Sequence, residues 1–225
     1  MLTHDLIQHV TYRDVDWHVA SPYLDATPAY RFWDDWDAGL FEPYTLDTVE
    51  RFVTPGSTVV DVGAWLGPVS LWASHLGARV VAVEPDPLAA EFLRTNVAMN
   101  NCNVEVFEGA VSDETGTCFI QANDQGWASS MTRVADDGDE VPCLTLPDLF
   151  DIYDIDDCAL VKVDVEGHEA IILERAAPFL ASLKIPILVA MHQPWWSQPV
   201  DPAWFDGYSE IEGEFAGWGQ VLAVP

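Results

Sequence analysis

Basic residues are scarce in this chain. Lys and Arg number nine against 37 Asp and Glu, for a formal net charge of −28. Only Lys162 and Lys184 are lysines. Such a field repels phosphate backbones and anionic lipid, so neither nucleic acid nor a membrane surface is expected as a partner. It suits cations or a cationic substrate. It equally suits a plain solvated acidic surface in a salt-rich, halophilic cytoplasm, where screening weakens self-repulsion. The second reading is favoured, because the acids are spread along the whole chain rather than gathered in one tail. It predicts that the fold loosens when salt is removed. Circular dichroism that stays the same between molar salt and none would contradict it.

Cysteine is also sparse. Cys102, Cys118, Cys143 and Cys158 form no C-x-x-C pair and no metal-ligand spacing. They read as reduced, buried small hydrophobes, and no metal is assigned. The N-terminus lacks a basic stretch followed by an apolar one, and no uncharged apolar run is long enough to span a membrane. A cytoplasmic location is the expectation. Repeats and low-complexity segments are missing too. What the chain does have is 49% hydrophobic residues, enough for a sizeable core. One domain over 1–225 is expected, with 1–45 as an N-terminal cover and 57–225 as the core.

From about Thr58 onward, short β-branched runs alternate with helical patterns, as in a parallel sheet wound by helices. Strands are expected at Ser57–Asp61, Arg79–Glu84, Asn103–Glu108, Leu160–Asp164 and Pro186–His192, with a closing strand in Gly217–Val224. Helices are expected at Pro68–His75, Pro87–Ala98 and Glu169–Leu183, with a short one at Pro147–Tyr153. Residues 111–158 break the rhythm. Thr117–Gln121 and Glu140–Thr145 read as a hairpin on the sheet's edge or over its mouth. In the cover, Tyr12–Val19 reads as extended, and Trp33, Trp36, Phe41 and Tyr44 as a lid on the sheet. Thr45–Phe52 reads as a helix with Thr45 as its N-cap.

Ligands of open parallel sheets sit beyond the carboxyl ends of the strands, where strand order reverses. Three strands here end in acids: Asp61, Glu84 and Asp164. Asp61-x-Gly63-x-x-x-Gly67 links a strand to a helix. It lacks the third glycine of a dinucleotide fingerprint and carries an acid suited to a ligand's cationic amine. A strand-turn-helix with glycines for geometry alone is the bland alternative. Glu84 is placed to accept both hydroxyls of a ribose. Asp86 and Ala110 are positioned to border an adenine; the alternatives are that Asp86 is an N-cap and Ala110 no more than a small residue in a tight turn. In Lys162-Val-Asp164-Val-Glu166-Gly167-His168, Asp164 and Glu166 point the same way on an extended chain, so they are candidates for acid–base work or, as the weaker variant, for holding a divalent ion. Glu166 as a cap and His168 as a surface residue are the alternatives. His192 ends a strand and is either a base or a hydrogen-bonded structural residue. Trp195 and Trp196 follow it, at a possible substrate rim.

These motifs resemble the FkbM family of S-adenosylmethionine-dependent methyltransferases, from about Phe41 to about His192. The resemblance rests on Phe41–Thr45, Pro55–Gly67, Val81–Asp86, Val141–Asp148 and, most specifically, Val161-Lys-Val-Asp-Val-Glu-Gly-His-Glu169. It implies an α/β, Rossmann-like class I fold with a mainly parallel seven-stranded sheet and helices on both faces. It also implies methyl transfer from S-adenosylmethionine, usually to a hydroxyl oxygen, here on a small molecule or glycan. By position, Asp61, Gly63, Ala64 and Gly67 would line the methionine part of the cofactor. Glu84 would take the ribose, with Pro85, Asp86 and Ala110 beside the base. Glu42 and Thr45 would close over it. Asp164 would sit at the reacting centre, with Glu166 and His192 as helpers. The family commonly has Asn where this chain has Trp65. A cofactor-binding protein without transfer and an NAD-dependent oxidoreductase are the rivals; the second lacks its G-x-G-x-x-G.

Overall fold

The computed structural model describes residues 7–21, 32–122, 131–192, 201–213 and 218–225. Seven strands form the main sheet in the order β12-β13-β11-β10-β3-β4-β5. They are β3 (Thr58–Val62), β4 (Arg79–Glu84), β5 (Val104–Glu108), β10 (Cys158–Val163), β11 (Ile187–His192), β12 (Glu210–Gly213) and β13 (Trp218–Val224). The first five run parallel, and β13 and β12 close one edge antiparallel. The class I methyltransferase architecture expected from the sequence is the one observed.

Burial on both faces explains the near-continuous apolar strands. Val59, Val80, Ala82 and Leu160 face one core. Val60, Val81, Val161 and Val163 face the other. The helices α2 (Pro43–Phe52), α3 (Pro68–His75) and α4 (Pro87–Met99) cover the first face. On the second lie α5 (Leu146–Ile152) and α6 (Glu169–Leu183). Among the described residues, no helix is long and apolar enough to cross a membrane.

The N-terminal cover differs from expectation. Tyr12–Val19 is not one extended piece but parts of a hairpin, β1 (Ile7–Tyr12) and β2 (Val15–Ala20). Arg13 and Asp14 turn the chain at φ 48° and 65°. A two-residue hairpin loop needs positive φ, and glycine usually supplies it; a charged pair gave no such signal. An unforeseen short helix, α1 (Phe32–Asp37), follows. Trp33 and Trp36 are buried in the core as expected, and Phe41 packs against it, but Tyr44 is exposed. Thr45 is not the N-cap of α2. Pro43 starts the helix earlier, Glu42 is the capping residue, and Thr45 lies inside.

Asn96, fully buried on α4, ties the cover to the core. Its side chain accepts from Ala20 N at 2.6 Å and donates to Ala20 O at 3.2 Å and Leu66 O at 2.8 Å. Asn96→Ala strands these buried backbone groups. It is expected to cost about 1–3 kcal/mol, read as an earlier midpoint in urea unfolding.

Among the described residues between 110 and 144, four strands form a second sheet, β6-β9-β7-β8. β7 (Gly116–Gln121) and β9 (Asp139–Leu144) pair antiparallel, as the hairpin reading required. β6 (Ala110–Val111) pairs parallel with β9, and β8 (Arg133–Ala135) antiparallel with β7. Of the four cysteines, only Cys143 is buried; the others are half-buried, and all four are free thiols.

Candidate active site

Strand order reverses between β3 and β10. A cleft opens there, beyond the carboxyl ends of β3, β4 and β10. Gly63, Glu84, Pro85, Ala110, Asp164 and Glu166 line it, six of the residues singled out in the sequence. Val62, Trp65, Val83 and Val165 add apolar wall. Thr132 and Val134 reach it from the second sheet, so the segment that broke the strand–helix rhythm stands at the mouth.

Glu84 is buried, and its carboxylate already organises the cleft. Oε2 accepts from Trp65 N at 2.7 Å and Oε1 from Asp86 N at 2.9 Å. Burial pushes its pKa up to about 7, although these two backbone donors hold it down. Trp65 has φ 50°, in the left-handed region that a bulky side chain seldom adopts. Its ring packs on Phe32, centroids 4.5 Å apart. Asn tolerates this conformation best among non-glycine residues, which gives the family's usual residue a backbone reason.

Asp61 stands differently from the sequence reading. It has no exposed surface, and its Oδ2 accepts from Ser70 Oγ at 2.6 Å. Its Oδ1 lies 3.4 Å from Lys162 Nζ. Its charge is thus engaged internally, and its link to the cofactor loop runs through Lys162. That ammonium donates to Gly63 O at 2.8 Å and lies 3.5 Å from Asp164 Oδ2. Burial alone would lower the Lys162 pKa; Asp164, Asp61 and Glu42 outweigh it and raise it. Lys162 was missed as a functional residue. The sequence marks it only as one of two lysines, on the same strand face as Asp164; its contact with Gly63 is not written there.

Gly63 has φ 76°, and a Cβ there would meet Asp164 O at 1.8 Å. The glycine is needed so that the backbones of the β3 and β10 ends can touch, not only for a ligand's approach. Gly67, φ 96°, caps α3, with Leu93 Cδ1 where a Cβ would go. Ala64 is buried beside them. Asp86 does not line the cleft. Its Oδ1 caps α4 through Leu88 N and Ala89 N, and Oδ2 accepts from Thr132 Oγ1 at 2.8 Å. Glu42 Oε2 accepts from Thr45 Oγ1 at 2.9 Å. Burial and Asp164 raise its pKa, against Lys162 and Thr45.

Asp164, Glu166 and His192 do converge. His192 Nε2 lies 3.8 Å from Asp164 Oδ1 and 3.4 Å from Glu166 Oε2, and their polar atoms fall within 4.8 Å of one another. Glu166 is at φ 56°. Burial lifts its pKa to about 7, with His192 opposing. Glu169, read from the sequence only as a first-turn acid, is fully buried and reaches His192. His168 is buried rather than a surface residue. It lies 3.0 Å from Ser112 Oγ, and burial lowers its pKa. Trp195 and Trp196 lie outside the described residues.

A profile of the Methyltransferase FkbM domain matches residues 61–218. The chain belongs to the FkbM methyltransferase family. The match begins at Asp61 and takes in the whole Lys162–Glu169 signature. A ribosomal protein L11 methyltransferase of Symbiobacterium thermophilum is 44% identical over 59 residues, 26% of this chain and 19% of that protein. The chain therefore spans only about a fifth of the length of such relatives. Among solved structures, the 16S rRNA N2 G1207 methyltransferase of T. thermophilus, in complex with AdoMet and guanosine, has a TM-score of 0.51 at 13% identity. It covers 97% of this chain and 50% of its own. At that identity the likeness speaks to the fold alone.

Proposed function

We propose that this FkbM-family chain transfers a methyl group from S-adenosylmethionine to a hydroxyl oxygen on a small molecule or glycan. The observation that carries the reading is the placement of Gly63, Glu84 and Asp164 around one cleft at the strand-order switch. In this reading the loop 61–67 follows the methionine part of the cofactor, Glu84 accepts its ribose hydroxyls, and Pro85 and Ala110 border the base. Asp86 supports that end by capping α4. Electrostatics favour such a ligand. Around Lys162 stand Asp61, Asp164 and Glu42, three carboxylates to one ammonium. A sulfonium carrying an amine supplies the missing positive charge.

The transfer is in-line. Holding the sulfonium methyl and the acceptor oxygen in near-attack geometry lowers the barrier by up to about 7–11 kcal/mol. Asp164, half-buried at the cleft beside Lys162, orients the acceptor hydroxyl and takes its hydrogen bond, with Glu166 and His192 behind it. The net charge of −28 makes a polyanionic acceptor a poor match. Incubation with methyl-labelled S-adenosylmethionine and separate sets of hydroxyl metabolites, glycans and RNA tests this. Label in a hydroxyl acceptor is expected; label in RNA alone would overturn the acceptor class.

The cofactor site has a pH signature. Glu84 is raised to about 7 and accepts ribose hydroxyls best as a carboxylate. Affinity for S-adenosylhomocysteine is therefore expected to rise as pH climbs from 6 to 8. Glu84→Gln should bind more weakly and lose most of that slope; a wild-type affinity that is flat across this range contradicts the role.

A further inference from the structure

Glu169 has no exposed surface, yet it carries a carboxylate at the start of α6. Its oxygens are surrounded by donors. Oε1 accepts from Val165 N at 3.2 Å and Gly167 N at 3.1 Å, and Oε2 also accepts from Gly167 N at 3.1 Å. His192 Nδ1 also lies against it, 2.6 Å from Oε1 and short even for a charge-assisted bond. Backbone N–H donors on both oxygens favour the ionised form of a carboxylate, and that form only accepts. The proton in the 2.6 Å contact therefore sits on Nδ1. That fixes the tautomer, because a neutral imidazole carries one N–H.

The other ring nitrogen then has a defined job. Nε2 faces Glu166 Oε2 at 3.4 Å and Asp164 Oδ1 at 3.8 Å, at the back of the cleft. We infer that Glu169 is a positioning residue for the transfer: it holds the proton on His192 Nδ1 and leaves Nε2 as the ring atom that takes up the acceptor's proton, beside Asp164 and Glu166. The inference rests on the methyl-transfer reading for its chemistry, though not for its geometry. In the step, the acceptor oxygen forms the new O–C bond to the methyl carbon as the C–S bond breaks. The C–S electron pair stays on sulfur, leaving neutral S-adenosylhomocysteine. The hydroxyl proton passes by way of the cleft carboxylates to Nε2, and the resulting imidazolium keeps its Nδ1–H on Glu169.

The groups facing the ring support this. Glu169 comes from α6, and Asp164 and Glu166 from the turn after β10; Lys162 lies beyond Asp164. Burial lowers the His192 pKa, but the Glu169 bond and the three carboxylates outweigh it and raise it. Removing the Glu169 charge is therefore expected to move the His192 titration to lower pH, by about 1–3 units for the loss of one close opposite charge.

Histidine-selective 15N NMR of the full chain, with S-adenosylhomocysteine added, tests the inference directly. His192→Asn identifies the resonance among the six histidines. In the wild type, Nδ1 should stay protonated at every pH while Nε2 alone titrates. Glu169→Gln should lower the titration midpoint and reduce the Nδ1–H population, with Glu169→Asp in between. Affinity for S-adenosylhomocysteine should change less than about threefold, because Glu169 does not line the cleft. A wild-type ring with its proton on Nε2 overturns the inference, as does a midpoint unmoved by Glu169→Gln. If Glu169→Gln does not fold, the wild-type tautomer still decides. Absence of any S-adenosylhomocysteine binding would strike the methyl-transfer reading instead, and the two failures are told apart in the same samples.

Discussion

A Gly63→Ala protein is expected to lose cofactor binding and about 3 kcal/mol or more of stability. The added Cβ would lie 1.8 Å from Asp164 O and 2.8 Å from Asp164 C, both backbone atoms. No rotamer change relieves a clash with main chain. The residue also sits at φ 76°, which alanine adopts only under strain. The ends of β3 and β10 must separate, and these ends build the cleft. For a domain of this size the midpoint of thermal unfolding should fall by about 6–12 °C. Calorimetry on the same sample should show no heat with S-adenosylhomocysteine. A variant that melts and binds as the wild type does would remove Gly63 from the account.

Asp164→Asn is expected to keep the fold and lose the reaction. Asp164 is half-buried, and although it is the first of the carboxylates that raise Lys162, the fully buried Asp61 remains, with Glu42, to hold the ammonium. Asparagine keeps the shape but cannot take a proton from a hydroxyl. Turnover should drop by about 10²–10⁴-fold. Affinity for S-adenosylhomocysteine should stay within about tenfold, since one charged group near the ligand is neutralised while Glu42, Glu166 and Asp61 remain. Steady-state kinetics with an accepted hydroxyl substrate reads both numbers. Full turnover in Asp164→Asn would end its assignment as the group that meets the acceptor proton.

Much of the core was legible because local and global signals agree there. α3, α6 and β4 have the bounds that Pro68, Gly77, Glu169 and the Arg79–Glu84 run foretell. Their strands are apolar on both faces, so periodicity and burial point to the same answer. Tyr12–Val19 reads as one extended piece in the sequence because the hairpin turn uses Arg13 and Asp14 rather than glycine. α1 was missed because six residues hold too few turns for a helical period to register.

The site was legible as a set of residues but not as a set of roles. Gly63, Glu84, Ala110 and Asp164 were found because strand-end position is written in the sequence. Asp61 was assigned to the ligand, whereas full burial and Ser70 turn it inward. Lys162 and Glu169 escaped because their significance lies in partners far along the chain: Gly63 O for one, His192 for the other. Spacing along a strand cannot announce a contact between β10 and the loop after β3.

The central claim is that the cleft between β3, β4 and β10 holds S-adenosylmethionine. Titration calorimetry of the wild-type chain with S-adenosylhomocysteine, and separately with NAD, tests it most directly. The account predicts saturable one-to-one binding of S-adenosylhomocysteine and no heat with NAD. Binding of NAD without binding of S-adenosylhomocysteine would contradict it.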